Sequence, residues 1–418
     1  MGNFNRCSAA LVCVFFLSTL RADDSPQFLG EHRNGYSPET ELIDSFPDSG
    51  PALVWRSPLG VGMSGVVVSD GMVYTMFQDS DHQYVAALDE KSGKQMWTTK
   101  VGPYYQNGMG NGPRATPSVN GNKIFGFTGE GILCALNAKD GALLWTVNTP
   151  EDLKSKPAEY GMASSPLVAG DAVIVQVGSS QGAVAAYSKE DGTRLWTSGS
   201  GASGYSSPVI MTLAGKEQIV AFLGTSVSGI DPTDGSELWK MDFVTDYDCN
   251  TANPVQLDDS SLLVSAGENH GCAALKITGG DGGKGFEVET LWSSLGKTSV
   301  LRAEWQTPVL QDGYIYGLDN VGGAGPFTHL VCLRVTDGKQ MWIQPKFGKT
   351  NLTLADGKLF FSTMRGDLVL VKAKSDGFEE VSRAKILERQ TRQAPVIANR
   401  NLYLRDDKEV VCLKVSRK

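Results

Sequence analysis

Apolar positions along the chain fall into short runs broken by Gly, Pro, Asn and Asp, the pattern of strands joined by turns. The runs recur in a fixed order. An apolar strand opened by Pro is followed by an Asp-Gly or similar turn, a second strand, a third strand ending in Ala-Leu, and then Asp-x-x-x-Gly-x-x-x-Trp. The clearest copy runs from Ala87 to Trp97, with further copies at Ala135 to Trp145, Ala186 to Trp196, Gly229 to Trp239 and Cys332 to Trp342. The leading Asp or Asn, where present, suits a turn cap, and in each copy the Gly suits positive φ and Trp falls on the returning strand. The repeat tryptophans Trp55, Trp97, Trp145, Trp196, Trp239, Trp292 and Trp342 are therefore expected to fill gaps between neighbouring sheets.

The heads of the units set the count. Thr116-Pro117, Ser165-Pro166, Ser207-Pro208, Asn253-Pro254, Thr307-Pro308 and Ala394-Pro395 each open one, and two more align at Val66 and Leu352 through the turns Asp70-Gly71 and Asp356-Gly357. Proline cannot donate within a ladder, so it marks an edge strand, here the innermost one beside a channel. Eight units of four short strands around an axis make an all-β, eight-bladed β-propeller of antiparallel blades. The ends support closure. The last unit, from Pro395, stops at Lys418 without a Trp strand, and the missing strand lies around Trp55. An N-terminal strand completing the last blade, paired beside the strand of Cys412, removes a sheet edge. The seventh unit carries Val381 where Trp is expected, so its gap must be filled otherwise.

Residues 1–22 read as a signal peptide: Arg6, an apolar run from Cys7 to Leu20, and Ala22 before Asp23-Asp24. The run is too short to span a bilayer, no later segment does so, and an exported, periplasmic or secreted protein is expected. Residues 23–50 form a lead-in and 51–418 one propeller domain. Formal charge is −8, with no Lys/Arg block, which argues against nucleic acid as partner. Five cysteines follow the leader without a CxxC or adjacent pair, which does not indicate a disulfide framework; Cys249 with Cys272 is the one pairing left open.

The repeat resembles that of the quinoprotein dehydrogenase superfamily, whose signature is Ala-x-Asp-x-x-x-Gly-x-x-x-Trp, over about residues 51 to 418. The resemblance implies either a dehydrogenase holding pyrroloquinoline quinone (PQQ) and Ca²⁺ on the ring axis or a non-catalytic relative of the BamB kind. The adjacent Cys-Cys pair of the dehydrogenases and the Cys-x-x-Cys-His haem site of cytochrome-fused members are absent. The expectation is a monomeric binding or scaffold module for a protein, peptide or polysaccharide, without cofactor. The alternative is a PQQ- and calcium-dependent alcohol or sugar dehydrogenase, with Glu304 among the calcium ligands and Asp248 as base.

Segments preceding the innermost strands converge on one axial face, where the candidate ligand-binding residues are Arg114, Tyr205, Asp248, Asn250, Arg302, Glu304, Trp305 and Arg392. Trp305 stands outside the repeat series and offers a ring for stacking, with Arg114, Arg302 or Arg392 for carboxylates. Asp246-x-Asp248-x-Asn250 resembles the start of a calcium loop but has Thr251 and Leu257 where Gly and the closing Glu belong. The four His show no metal spacing, and Gly279 to Gly285 reads as a long hairpin turn rather than a phosphate loop. Gly102 to Pro113 reads either as a loop over the channel or as a plain connection.

Overall fold

Each proline-headed run forms the first strand of a four-stranded antiparallel sheet, and eight such sheets make up the ring in the computed structural model, which describes residues 23–279, 285–322 and 327–417. In the first blade the strands are Val66–Ser69, Met72–Gln78, His82–Asp89 and Gln95–Pro103. The eighth contains Val396–Ala398, Asn401–Arg405 and Glu409–Lys414, with Ala52–Pro58 added at its outer edge. Trp55 pairs with Cys412 in that seam. The only α-helix among the described residues is Thr149–Asp152. The strands Gly271–Gly279 and Phe286–Leu295 pair up to Gly279 and Phe286, the hairpin expected there, although its tip lies outside the described residues. Cys249 and Cys272 are both free thiols, so the one disulfide left open does not form.

The repeated Trp works between blades. Its ring lies over the Asp-x-x-x-Gly turn of the next blade: a Cβ added at Gly93, Gly141, Gly192, Gly235 or Gly338 would come within 2.5 to 2.8 Å of Trp55, Trp97, Trp145, Trp196 or Trp292. Five indole N–H groups also donate to a carbonyl in that turn region, Trp55 to Glu90 at 2.7 Å and Trp97 to Ala138 at 3.2 Å among them. The glycine is thus required twice at Gly141, by a φ of +73° and by the Trp97 ring at 2.5 Å. Gly141→Val is expected to lower unfolding free energy by roughly 2–4 kcal/mol, from backbone strain plus overpacking, in a urea titration. Trp239 departs from the series. Its indole donates to Gln218 in its own sheet at 2.6 Å, and the corresponding turn of the fifth blade lies outside the described residues.

A second device joins the blades at the axis. In five successive blades the backbone N–H at the head of the innermost strand donates to the side chain of its counterpart one blade on: Gly65 to Thr116, Thr116 to Ser165, Ser165 to Ser207, Ser207 to Asn253 and Asn253 to Thr307, at 2.9 to 3.0 Å. This explains why a small hydroxyl or amide residue precedes so many of the prolines. Each bond satisfies a buried edge N–H that no strand reaches.

The lead-in has no counterpart in the repeat, and it closes the hole the ring leaves. Ser25 exchanges both backbone bonds with Val68, Pro26 accepts from Val119, the Arg33 guanidinium donates to the Ser165 carbonyl, and Gly35 and Ser37 bond Leu354. The segment therefore touches blades one, two, three and seven as it crosses the channel, capping edge strands that would otherwise be unpaired. Arg33 is 1% exposed, and no carboxylate pairs with it among the described residues. Burial pushes its pKa down to about 9, so it is still a cation at neutral pH. Farther on, Leu42 and Phe46 pack with Phe360, Leu368 and Leu387, with Val381 against the same cluster. They fill the gap left by the absent Trp of the seventh blade.

Candidate functional site

The segments that lead into the innermost strands meet on one axial face around a cavity of about 710 Å³. Small residues of the axial bonding ring, among them Thr116, Ser165 and Ser207, form its inner wall, and Phe28 and Leu29 of the lead-in line its deep end. What repetition leaves as a through-channel is thereby a pocket with its mouth on this face.

Of the residues expected from sequence, Arg114, Tyr205, Glu304, Trp305 and Arg392 line the cavity. Arg114 is not free to hold a ligand. It donates to the carbonyls of Tyr160, Gly112 and Gly110 and lies 4.7 Å from the Tyr105 ring centre, fixing the Gly102 to Pro113 segment over the cavity wall. Burial lowers its pKa to about 10. That segment is a folded loop placing Met109 in the cavity, rather than a plain connection. Tyr205 packs with Tyr160 at 5.6 Å between ring centres.

Trp305 is flanked by two cations, with Lys349 Nζ 4.3 Å and Arg392 Cζ 5.0 Å from its ring centre. Lys349 also meets Glu304, 2.9 Å from one carboxylate oxygen and 3.0 Å from the other. Burial pushes the Glu304 carboxyl above its ordinary pKa, Lys349 opposes this and Glu268 adds to it. The Arg392 guanidinium contacts neutral acceptors: the Met109 carbonyl, Met63 Sδ at 3.2 Å and Gln390 Oε1 at 3.5 Å. Burial lowers its pKa. Cys249 also lines the cavity, and burial together with surrounding carboxylates holds its thiol up at about 12, protonated and a poor nucleophile at neutral pH.

The other three expected residues lie elsewhere. Arg302 is 4% exposed and makes a bidentate pair with Asp319, at 2.7 and 2.6 Å, so its charge is spent on holding the segment that carries Glu304 and Trp305. Asn250 is fully buried, its amide donating to the carbonyls of Leu223, Gly224 and Phe243 and accepting from the Thr245 hydroxyl. Asp248 faces a neighbouring groove between blades three and four. Tyr247 and Asp248 both take positive φ, which turns the Asp246-x-Asp248-x-Asn250 run away from a shared centre. With Asn250 committed and Glu304 facing Lys349, these donors do not fit a calcium ion. No group of three or more His, Cys, Asp or Glu among the described residues could hold a metal.

Lys349 was missed although it precedes an innermost strand two residues before Asn351, where the same positional rule applies. Glu268 and Tyr247 follow from loop packing, and Phe28 and Leu29 from a segment without any repeat signal.

A family model described as outer membrane protein assembly factor BamB matches residues 81–344. Outer membrane protein assembly factor BamB of Yersinia pestis is 27% identical over 324 residues, covering 74% of this chain and 69% of the relative. Among solved structures, BamB from Moraxella catarrhalis superposes with TM-score 0.59 at 16% identity, over 87% of this chain and 99% of that one. The quinohemoprotein alcohol dehydrogenase from Comamonas testosteroni gives TM-score 0.66 at 15% identity, over 94% and 81%. At those identities the two structures speak to the fold alone.

Proposed function

Since the chain belongs to the BamB outer membrane protein assembly factor family, we propose that it is an exported, non-catalytic propeller that binds a protein or peptide partner on the axial face bearing the cavity. The observation that carries this reading is the placement of Trp305 between Lys349 and Arg392 in a pocket whose face also exposes apolar side chains. Tyr247 is 66% and Val244 60% exposed there. Aromatic and arginine anchors in a desolvated pocket, edged by apolar groups, are typical of protein-binding hot spots. The leader-like residues 1–22 and the family support work in the cell envelope. A polysaccharide is a poorer fit to so apolar an edge.

The test is a photo-crosslinking residue at position 247 or, as a control on the outer perimeter, at Met96, used in the native host. Crosslinking to one protein at position 247 and not at 96 is expected. Trp305→Ala is expected to weaken that complex about tenfold or more while leaving the melting temperature nearly unchanged, because this indole lies outside the blade-to-blade series. Stoichiometric PQQ and Ca²⁺ binding with alcohol-dependent dye reduction by the purified protein would instead establish the dehydrogenase reading.

A further inference from the structure

We infer that the cavity receives the C-terminal end of an extended peptide, with the terminal carboxylate on Arg392 beside Trp305 and the preceding residues leaving across Tyr205 and Tyr247. This rests on the protein-binding reading above and specifies which part of a partner enters.

Three observations converge on a chain end. The first is access. The lead-in closes the deep end with Phe28 and Leu29, so a chain entering from the axial face cannot pass through the ring. An internal segment would have to turn back through the same mouth, whereas a terminus simply stops.

The second is charge. The charged residues lining the cavity are Arg114, Lys349 and Arg392 against Glu268 and Glu304, one cation in excess in a chain of net charge −8. Lys349 faces Glu304, and of the two guanidinium groups that contact only neutral acceptors Arg114 already donates to three backbone carbonyls, whereas Arg392, on which Asp407 acts from outside the cavity lining, lies beside Trp305 where a ligand can reach it. A single carboxylate neutralises it, and guanidinium binds carboxylate in a planar two-point geometry.

The third is the path outward. A groove of about 240 Å³ between blades three and four shares Tyr205 and Tyr247 with the cavity. Ala202 and Ser203 line it together with Lys156, Glu159 and Asp248, with two aromatic rings where groove and cavity meet. Cavity and groove together offer an extended chain a continuous course with its end at the axis.

The probe is a random octapeptide library prepared half as free acids and half as carboxamides, passed over the immobilised full-length mature protein and read by mass spectrometry. Free acids are expected to be enriched at least tenfold over their amides. Arg392→Gln should abolish that preference, Arg392→Lys should keep part of it, and Tyr247→Ala should weaken acids and amides alike; a thermal melt of each variant confirms folding. Equal retention of acids and amides by the unaltered protein overturns the inference while leaving the docking face in place. So does enrichment governed by internal Asp or Glu whatever the terminus. Retention of neither half overturns it as well, and crosslinking at position 247 then decides separately whether the face binds a protein at all.

Discussion

Arg302→Ala is expected to lower unfolding free energy by about 3–5 kcal/mol, the range for removing one partner of a buried ion pair. The guanidinium and carboxylate are 4% and 5% exposed, and the variant leaves Asp319 desolvated with no cation against it. The same change removes the guanidinium bond to the Lys297 carbonyl, while the two Asn320 bonds to the Arg302 carbonyl remain, so the segment is loosened on one side and Trp305 should be held less firmly. Urea unfolding followed by circular dichroism measures the loss. The pair is shielded from solvent, so the deficit should persist at high salt, unlike that of an exposed pair. Replacing both members by apolar residues of similar volume should cost much less than either single change. A loss below about 1 kcal/mol in the single variant would place Arg302 among surface charges and undo its assignment as the support of this segment.

Trp55→Ala is expected to cost about 3–5 kcal/mol. The indole is 6% exposed, donates to the Glu90 carbonyl at 2.7 Å, lies 6.0 Å from the Tyr403 ring and covers Gly93 of the first blade. It joins the strand that completes the eighth blade to the blade that begins the ring, so the cavity it leaves lies at the seam. Trp145, in the same motif but partly exposed, should cost less on the same substitution. Denaturation midpoints of the two variants make the comparison. Equal losses would mean that the seam is no different from any other blade junction.

The fold was legible because its information is local and repeated. Proline, the Asp-Gly turns and the Gly-to-Trp spacing each mark one strand or turn, and together they located eight blades and the pairing of Trp55 with Cys412. The lead-in was not legible, because the size of the hole and the missing seventh Trp dictate its role, and neither leaves a mark in residues 23–50 themselves. In the site, position before an innermost strand identified Trp305, Arg392 and Glu304 as facing the axis, but position does not reveal partners. Arg302 and Asn250 occupy similar places and are polar for a structural reason: Asp319 and three carbonyls, all brought in from elsewhere in the chain, consume them. The Asp246-x-Asp248-x-Asn250 spacing misled for a backbone reason, since alternate residues share a centre only if the chain curls around it, and the positive φ at Tyr247 and Asp248 sends it another way.

The lead-in also orders events in time. It is synthesised before any blade, yet Ser37 and Gly35 bond the seventh blade, Ile43 bonds Val415, and Arg417 donates its backbone N–H to Glu41, so those places are not complete until residue 417 is made. Leu42 and Phe46, buried in the finished ring, have no surface to cover during synthesis. Nor is there a terminal repeat from which the completed ring can fray, as a linear array frays at its capping units. The first piece made is thus the last to be set in place, and until then the nascent chain carries two exposed apolar side chains and an open sheet edge for a binding partner or a neighbouring chain to find.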